Sequence, residues 1–198
     1  VFVVPANLQV NNLREFLAYA RKEGDKVNFA SSGIGSPGHI AGGYLNKFAG
    51  LQMTHVPYKG AGESVRALIS GEVQLIITSP TSIMGFVKQG RAKALALTTA
   101  KASALVPGVP GAEEAGLPNF DINGWYGLFG PAGMPASVVA KLHSALNQVM
   151  SNSVVREKIA GQGLESDTSS SPDAFTRFTV ADRQAWSPIV RDSGARIE

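Results

Sequence analysis

The chain opens on Val1-Phe2-Val3-Val4, four consecutive apolar residues closed by Pro5, a pattern that predicts a buried strand. Leu13, Phe16, Leu17 and Ala20 then recur at helical spacing, with Asn11 or Asn12 placed to cap the helix and Gly24 to end it. Short apolar runs at Val27–Ala30, Met53–Val56, Val73–Ile77 and Lys93–Thr98 read as further strands. Between them lie helical patterns: one carries Ile40, Tyr44, Leu45 and Phe48, one carries Val65, Leu68 and Ile69, and one covers Thr81–Gln89. A glycine stands at nearly every helix end. Helix and strand thus alternate from Pro5 to Thr98, which predicts an α/β domain built on a mostly parallel sheet.

Residues 100–119 break the rhythm with Pro107, Pro110 and Pro118, as a surface connection with one helical turn at Ala112–Ala115 would. Trp125–Phe129 reads as a strand before the turn Gly130-Pro131-Ala132-Gly133. Three helices are expected after it. The first starts at Pro135 and carries Val138, Val139, Leu142, Leu146 and Val149, and the second covers Val154–Ile159. The third carries Phe175, Phe178, Val180 and Trp186, with Pro188 expected to kink or break it. One strand makes no sheet, so the apolar faces of these helices are expected to need strands from a segment N-terminal to Val1.

Hydrophobic residues at 44% against 17% charged describe a globular chain, and no apolar run approaches the ~18–20 residues of a membrane-spanning helix. The net charge of +3 is spread along the sequence rather than gathered into a basic stripe, which argues against nucleic-acid binding. With no cysteine, disulfides, thiol catalysis and thiolate metal sites are excluded.

Gly33-Ile34-Gly35-Ser36-Pro37-Gly38 matches the dinucleotide-binding spacing after a strand and before a helix. That fingerprint needs an acidic residue at the end of the next strand to hold a ribose. Here the strand ends in His55-Val56-Pro57-Tyr58, with the nearest acid at Glu63 beyond another loop. No cofactor is therefore expected. A phosphate-binding loop of the Gly-Lys-Ser/Thr type is absent as well. What remains is a nest for a small anion, in which glycines turn N–H groups inward at a helix start and Ser31, Ser32 and Ser36 add hydroxyl donors. Capping by Ser36 is compatible with that role.

Two further loops follow predicted strands, where open α/β sheets bind ligands. Thr78 and Ser79 supply neutral hydroxyls, with helix capping by Ser79 or Thr81 as the equal alternative; Lys59 reads as solvated and Tyr58 as packed. His39, His55 and His143 are far apart, without metal-ligand spacing, and no nucleophile elbow occurs. His39 begins a helix beside the glycine loop, within reach of a ligand or of a local hydrogen bond, and His143 reads as a surface residue. No catalytic constellation emerges.

Several blocks resemble the substrate-binding proteins of tripartite tricarboxylate transporters, the Bug-type receptors. They are Val27-Asn28-Phe29-Ala30-Ser31-Ser32-Gly33, Gly35-Ser36 with His39, His55-Val56-Pro57-Tyr58-Lys59-Gly60, Gly71-Glu72-Val73-Gln74, and Gly124-Trp125-Tyr126-Gly127 through Pro131-Ala132-Gly133. The resemblance implies a fold like the type II periplasmic binding proteins, in which two lobes clamp a carboxylate, with the N-terminal part of one lobe outside this chain. It implies a complete lobe over residues 5–123, with 1–4 and 124–198 supplying hinge crossings and the C-terminal portion of the other lobe. Its ligand contacts would be Ser31, Ser32, Gly33, Gly35, Ser36 and His39, together with Thr78 and Ser79, which stand where the family often has Asp and Asn. A non-catalytic periplasmic receptor that passes its solute to the transporter's membrane components is the implied function. The effector-binding domain of a transcriptional regulator is the alternative. Without its missing strands, this chain is expected to pair with a second copy through residues 124–198.

Overall fold

The computed structural model describes residues 1–196 and divides the chain into two compact units, one of Val1–Asn123 with the chain from Pro188 onward, the other of Gly124–Ser187. In the first unit five strands form one sheet in the order β3-β2-β4-β1-β5. They are β1 (Phe2–Pro5), β2 (Asn28–Ser31), β3 (Thr54–Pro57), β4 (Leu75–Ile77) and β5 (Ala92–Ala96). β2 pairs in parallel with both β3 and β4, whereas β1 lies antiparallel between β4 and β5. The expectation of a mostly parallel sheet is corrected at β1. Residues 1–4, expected as a buried strand, lie inside the sheet, and all four are buried. β1 enters at the edge where the parallel strands finish, which forces it to run against them.

Four helices cover the sheet: α1 (Leu13–Glu23), α2 (Pro37–Ala49), α3 (Ala61–Ser70) and α4 (Pro80–Lys88). Alternate side chains of a strand point to opposite faces, so Val1, Val3, Ala30 and Ile76 meet Val65, Leu68 and Ile83 on one side. On the other side Phe2 packs on Phe120 with ring centres 5.5 Å apart, and Phe120 touches Tyr44 and Phe48 of α2 at 5.5 and 5.4 Å. The connection after β5 is thereby anchored in the core: Phe120 is fully buried, and the Ile122 N–H donates to the Thr98 carbonyl at 2.8 Å. The one helical turn expected at Ala112–Ala115 is closed by the Ala115 N–H donating to the Gly111 carbonyl at 2.9 Å, within a run of turns over residues 112–116.

The second unit holds α5 (Ala136–Ser151), α6 (Ser153–Ala160) and most of α7 (Pro172–Asp192). Trp125–Phe129, expected as a strand, is irregular chain without a ladder, because no partner strand lies beside it among the described residues. It is held instead by aromatic packing. Trp125 meets Phe175 and Phe178 edge-on at 5.6 and 5.3 Å, and its indole N–H donates to an Asp182 carboxylate oxygen at 3.0 Å. Of the expected kink or break at Pro188, the break is corrected: α7 continues through it to Asp192. His143, expected at the surface, is half-buried and donates from Nε2 to the Ser169 carbonyl at 3.0 Å.

Candidate functional site: the loops at one edge of the sheet

β2, β3 and β4 all finish at one edge of the sheet. β5 finishes there too, because it and β4 both run against β1. The loops that follow β2, β3 and β4 are therefore neighbours, although far apart in sequence. Main-chain bonds tie two of them together, from Tyr58 N–H to the Ser31 carbonyl at 3.0 Å and from Gly60 N–H to the Ser32 carbonyl at 3.2 Å. Thr78 joins the same edge through its N–H, which donates to the Val1 carbonyl at 3.3 Å.

Ser31 is the most deeply placed of the candidate residues, at 1% exposure. Its hydroxyl lies 2.9 Å from the Gly33 carbonyl and 2.7 Å from His55 Nε2, and it accepts from the Gly33 N–H at 3.2 Å. One hydroxyl proton serves one acceptor. All three contacts are satisfied when Ser31 donates to Gly33 and His55 donates from Nε2. The next turn is fixed by His39, whose Nδ1 accepts from the Gly35 N–H at 3.0 Å. That bond assigns the His39 proton to Nε2, leaving a ring N–H for a ligand or solvent. The two imidazoles stack almost parallel at 3.8 Å, and Phe29 stacks on the far side of His55 at 5.0 Å. Burial pushes both histidines down. It takes His55 to about 4, with the neighbouring His39 as the lesser cause.

Helix α2 starts hard against the sheet. A Cβ on Gly38 would sit 2.5 Å from the Ile77 carbonyl, so only glycine allows this approach, and Gly35 has the positive φ of 76° that the loop needs to turn into the helix. Ser36 caps α2 by accepting from the His39 N–H, and Pro37 fills the first position, where no donor is needed. The expectation that the N–H groups of Gly35 and Ser36 face an anion is corrected. The first is bound by His39 and the second donates to the Gly33 carbonyl at 3.2 Å, so the loop closes its own amides to hold its shape. Donors without a protein acceptor among the described residues include the Ser32, Ser36 and Thr78 hydroxyls, the Gly38 N–H and His39 Nε2.

Ser79 sits at the start of α4 without making a side-chain cap; its hydroxyl lies 2.7 Å from that of Thr81 and 3.1 Å from that of Ser82. Tyr58 donates to Glu72 at 2.7 Å, and burial together with that carboxylate pushes its phenol up to about 12. Lys59 is exposed, with its N–H on the Glu63 carboxylate. His55 was not among the residues that the sequence marked for the site. The only signal for it was its register opposite Phe29, which no spacing rule shows. Two concavities lie elsewhere in the first unit. One of about 390 Å³ is lined by Arg14, Leu17, Arg21, Phe48 and Leu117, and one of about 300 Å³ by Arg66, Ile69, Phe86 and Arg91.

The family model described as tripartite tricarboxylate transporter family receptor matches residues 1–195. A protein of Pseudomonas sp. strain P51, from the tcbD–tcbE intergenic region, is 32% identical over 96% of this chain and 56% of its own length. Protein BugT of Bordetella pertussis is 27% identical over the whole chain and 60% of its own length. This chain thus spans under two thirds of the length of these two relatives. Among solved structures, R. palustris Rpa4515 with adipate superposes with a TM-score of 0.92 at 26% identity, covering 98% of this chain and 65% of that one. MatC from Rhodopseudomonas palustris with bound malate gives 0.88 at 28% identity, covering 96% and 65%. Periplasmic binding protein BugD gives 0.90 at 26% identity, covering 100% and 66%. With its α/β fold and the match along nearly all of its length, the chain belongs to the tripartite tricarboxylate transporter receptor family.

Proposed function

We propose that this chain forms part of a periplasmic receptor that holds a small carboxylate without transforming it and delivers it to the membrane components of a tripartite tricarboxylate transporter. The observation that carries this reading is the set of neutral donors at the edge where β2 and β4 finish: the Ser32 and Thr78 hydroxyls, the Gly38 N–H and His39 Nε2. A carboxylate is matched by such donors and by the positive end of α2, with no formal charge required. Ser31, Gly33, Gly35, Ser36 and Ser79 serve the same site by fixing its shape. The adipate and malate held by two structural neighbours make a dicarboxylate the ligand class to test first. Family membership favours the receptor over the effector domain of a regulator.

Residues 5–123 would form the lobe that carries this loop, with the irregular chain after Asn123 as a crossing. Titration calorimetry with malate and adipate tests the reading. This chain should bind one of them weakly, and a chain extended to the length of its relatives at least tenfold more tightly. No heat with either chain for any small carboxylate would sink it.

A further inference from the structure

We propose that His55 is a positioning residue for the ligand loop, holding it in shape from beneath through Ser31 on one side and His39 on the other; this rests on the carboxylate-site reading. Two contacts lead from this histidine to the loop. Its Nε2 meets the Ser31 hydroxyl at 2.7 Å, and Ser31 in turn fixes Gly33 through both its carbonyl and its N–H. Its ring face supports His39 at 3.8 Å, and His39 holds the Gly35 N–H at 3.0 Å. Gly33 and Gly35 have positive φ values of 135° and 76°, a backbone path that nothing local enforces in glycine. Removing His55 leaves both turns without their shared support, and the Nε2–H of His39 loses its aim. His55 itself does not contact the ligand.

The arrangement also makes the loop sensitive to acid. A proton added to His39 Nδ1 abolishes its bond to Gly35, and a proton on His55 puts a cation against a second imidazole. β2 and β4 carry no ionisable side chain, and β3 none besides His55. On α2 the other ionisable groups are Tyr44 and Lys47, beyond the first turn. Past β3, Tyr58 is tied to Glu72, and the Glu63 carboxylate accepts the Lys59 N–H. Among the described residues no carboxylate is hydrogen-bonded to either histidine, the end of α7 with Asp192 meets α2 at Gly43, and the positive end of α2 opposes protonation of His39.

The test compares the chain with its His55→Phe and Ser31→Ala variants. Phenylalanine keeps the stacking surface but cannot donate to Ser31. Without ligand, amide exchange at Gly33 should accelerate about tenfold in both variants, while exchange at Gly35, whose stacked support is kept, and in β1 and β4 stays unchanged. With malate or adipate as probe, affinity should fall about tenfold at neutral pH, and the acid limb of the affinity profile should shift in His55→Phe. The ligand's own titration is common to both proteins and cancels. Unchanged loop exchange in both variants overturns the proposal, as does His55→Phe binding with the same affinity and pH profile as the parent. If neither the parent nor the extended chain binds any small carboxylate, the carboxylate reading fails by itself and the exchange arm still decides the role of His55.

Discussion

At the scale of single residues, the stacked histidines set how the protein responds to acid. An unfolded histidine titrates near 6.5, whereas burial holds folded His55 at about 4 and lowers His39 as well. The native state therefore binds fewer protons than the unfolded state between those values. The histidines' contribution to stability is complete above about pH 6.5 and declines as the pH falls through this window toward 4. Urea unfolding at a series of pH values should show that decline, and His55→Phe should flatten most of it. A curve of the same slope in the variant would assign the acid sensitivity to other groups. The residues of this loop were largely legible in the sequence, because serines and glycines before a helix announce donors and turns. Which donors remain free was not legible. The Gly35 and Ser36 amides are consumed by His39 and the Gly33 carbonyl, and that depends on how a helix and a loop meet in space.

Among the elements, helix ends were the most readable feature, since a cap is a local event. Asn12 caps α1 by accepting from the Glu15 N–H at 2.9 Å, and the Glu15 carboxylate accepts from the Asn11 N–H at 2.7 Å. Asn12→Ala should cost about 1 kcal/mol of stability, measured by denaturant titration, with no effect on carboxylate binding. A loss near zero would mean that water replaces the cap fully. Direction and pairing of strands were less readable. Val1–Val4 showed a buried strand, but nothing in four apolar residues states that it runs against its neighbours. Trp125–Phe129 has the composition of a strand and lacks the ladder, because a strand is defined by its partner. The aromatic packing around Trp125, Phe175 and Phe178 joins residues some fifty positions apart, a contact that sequence spacing does not show.

For the whole molecule, the second unit exposes the most apolar surface. None of its three helices contains a fully buried residue, and Tyr126 and Phe129 are 78% and 67% exposed. Apolar surface on this scale is rarely left open to water. The chain expressed by itself should associate through residues 124–198, with sedimentation velocity showing a dimer that Phe129→Ser weakens. A chain that stays monomeric at all concentrations would contradict this. The central claim, that the loops after β2 and β4 form a carboxylate site, is tested most directly by titrating ¹⁵N-labelled protein with malate and adipate and following amide shifts. The account predicts that the shifts concentrate at Ser32, Gly38, His39 and Thr78. Shifts gathered instead around Arg14 and Arg21, where two guanidinium groups line the larger concavity, would place the anion elsewhere and contradict it.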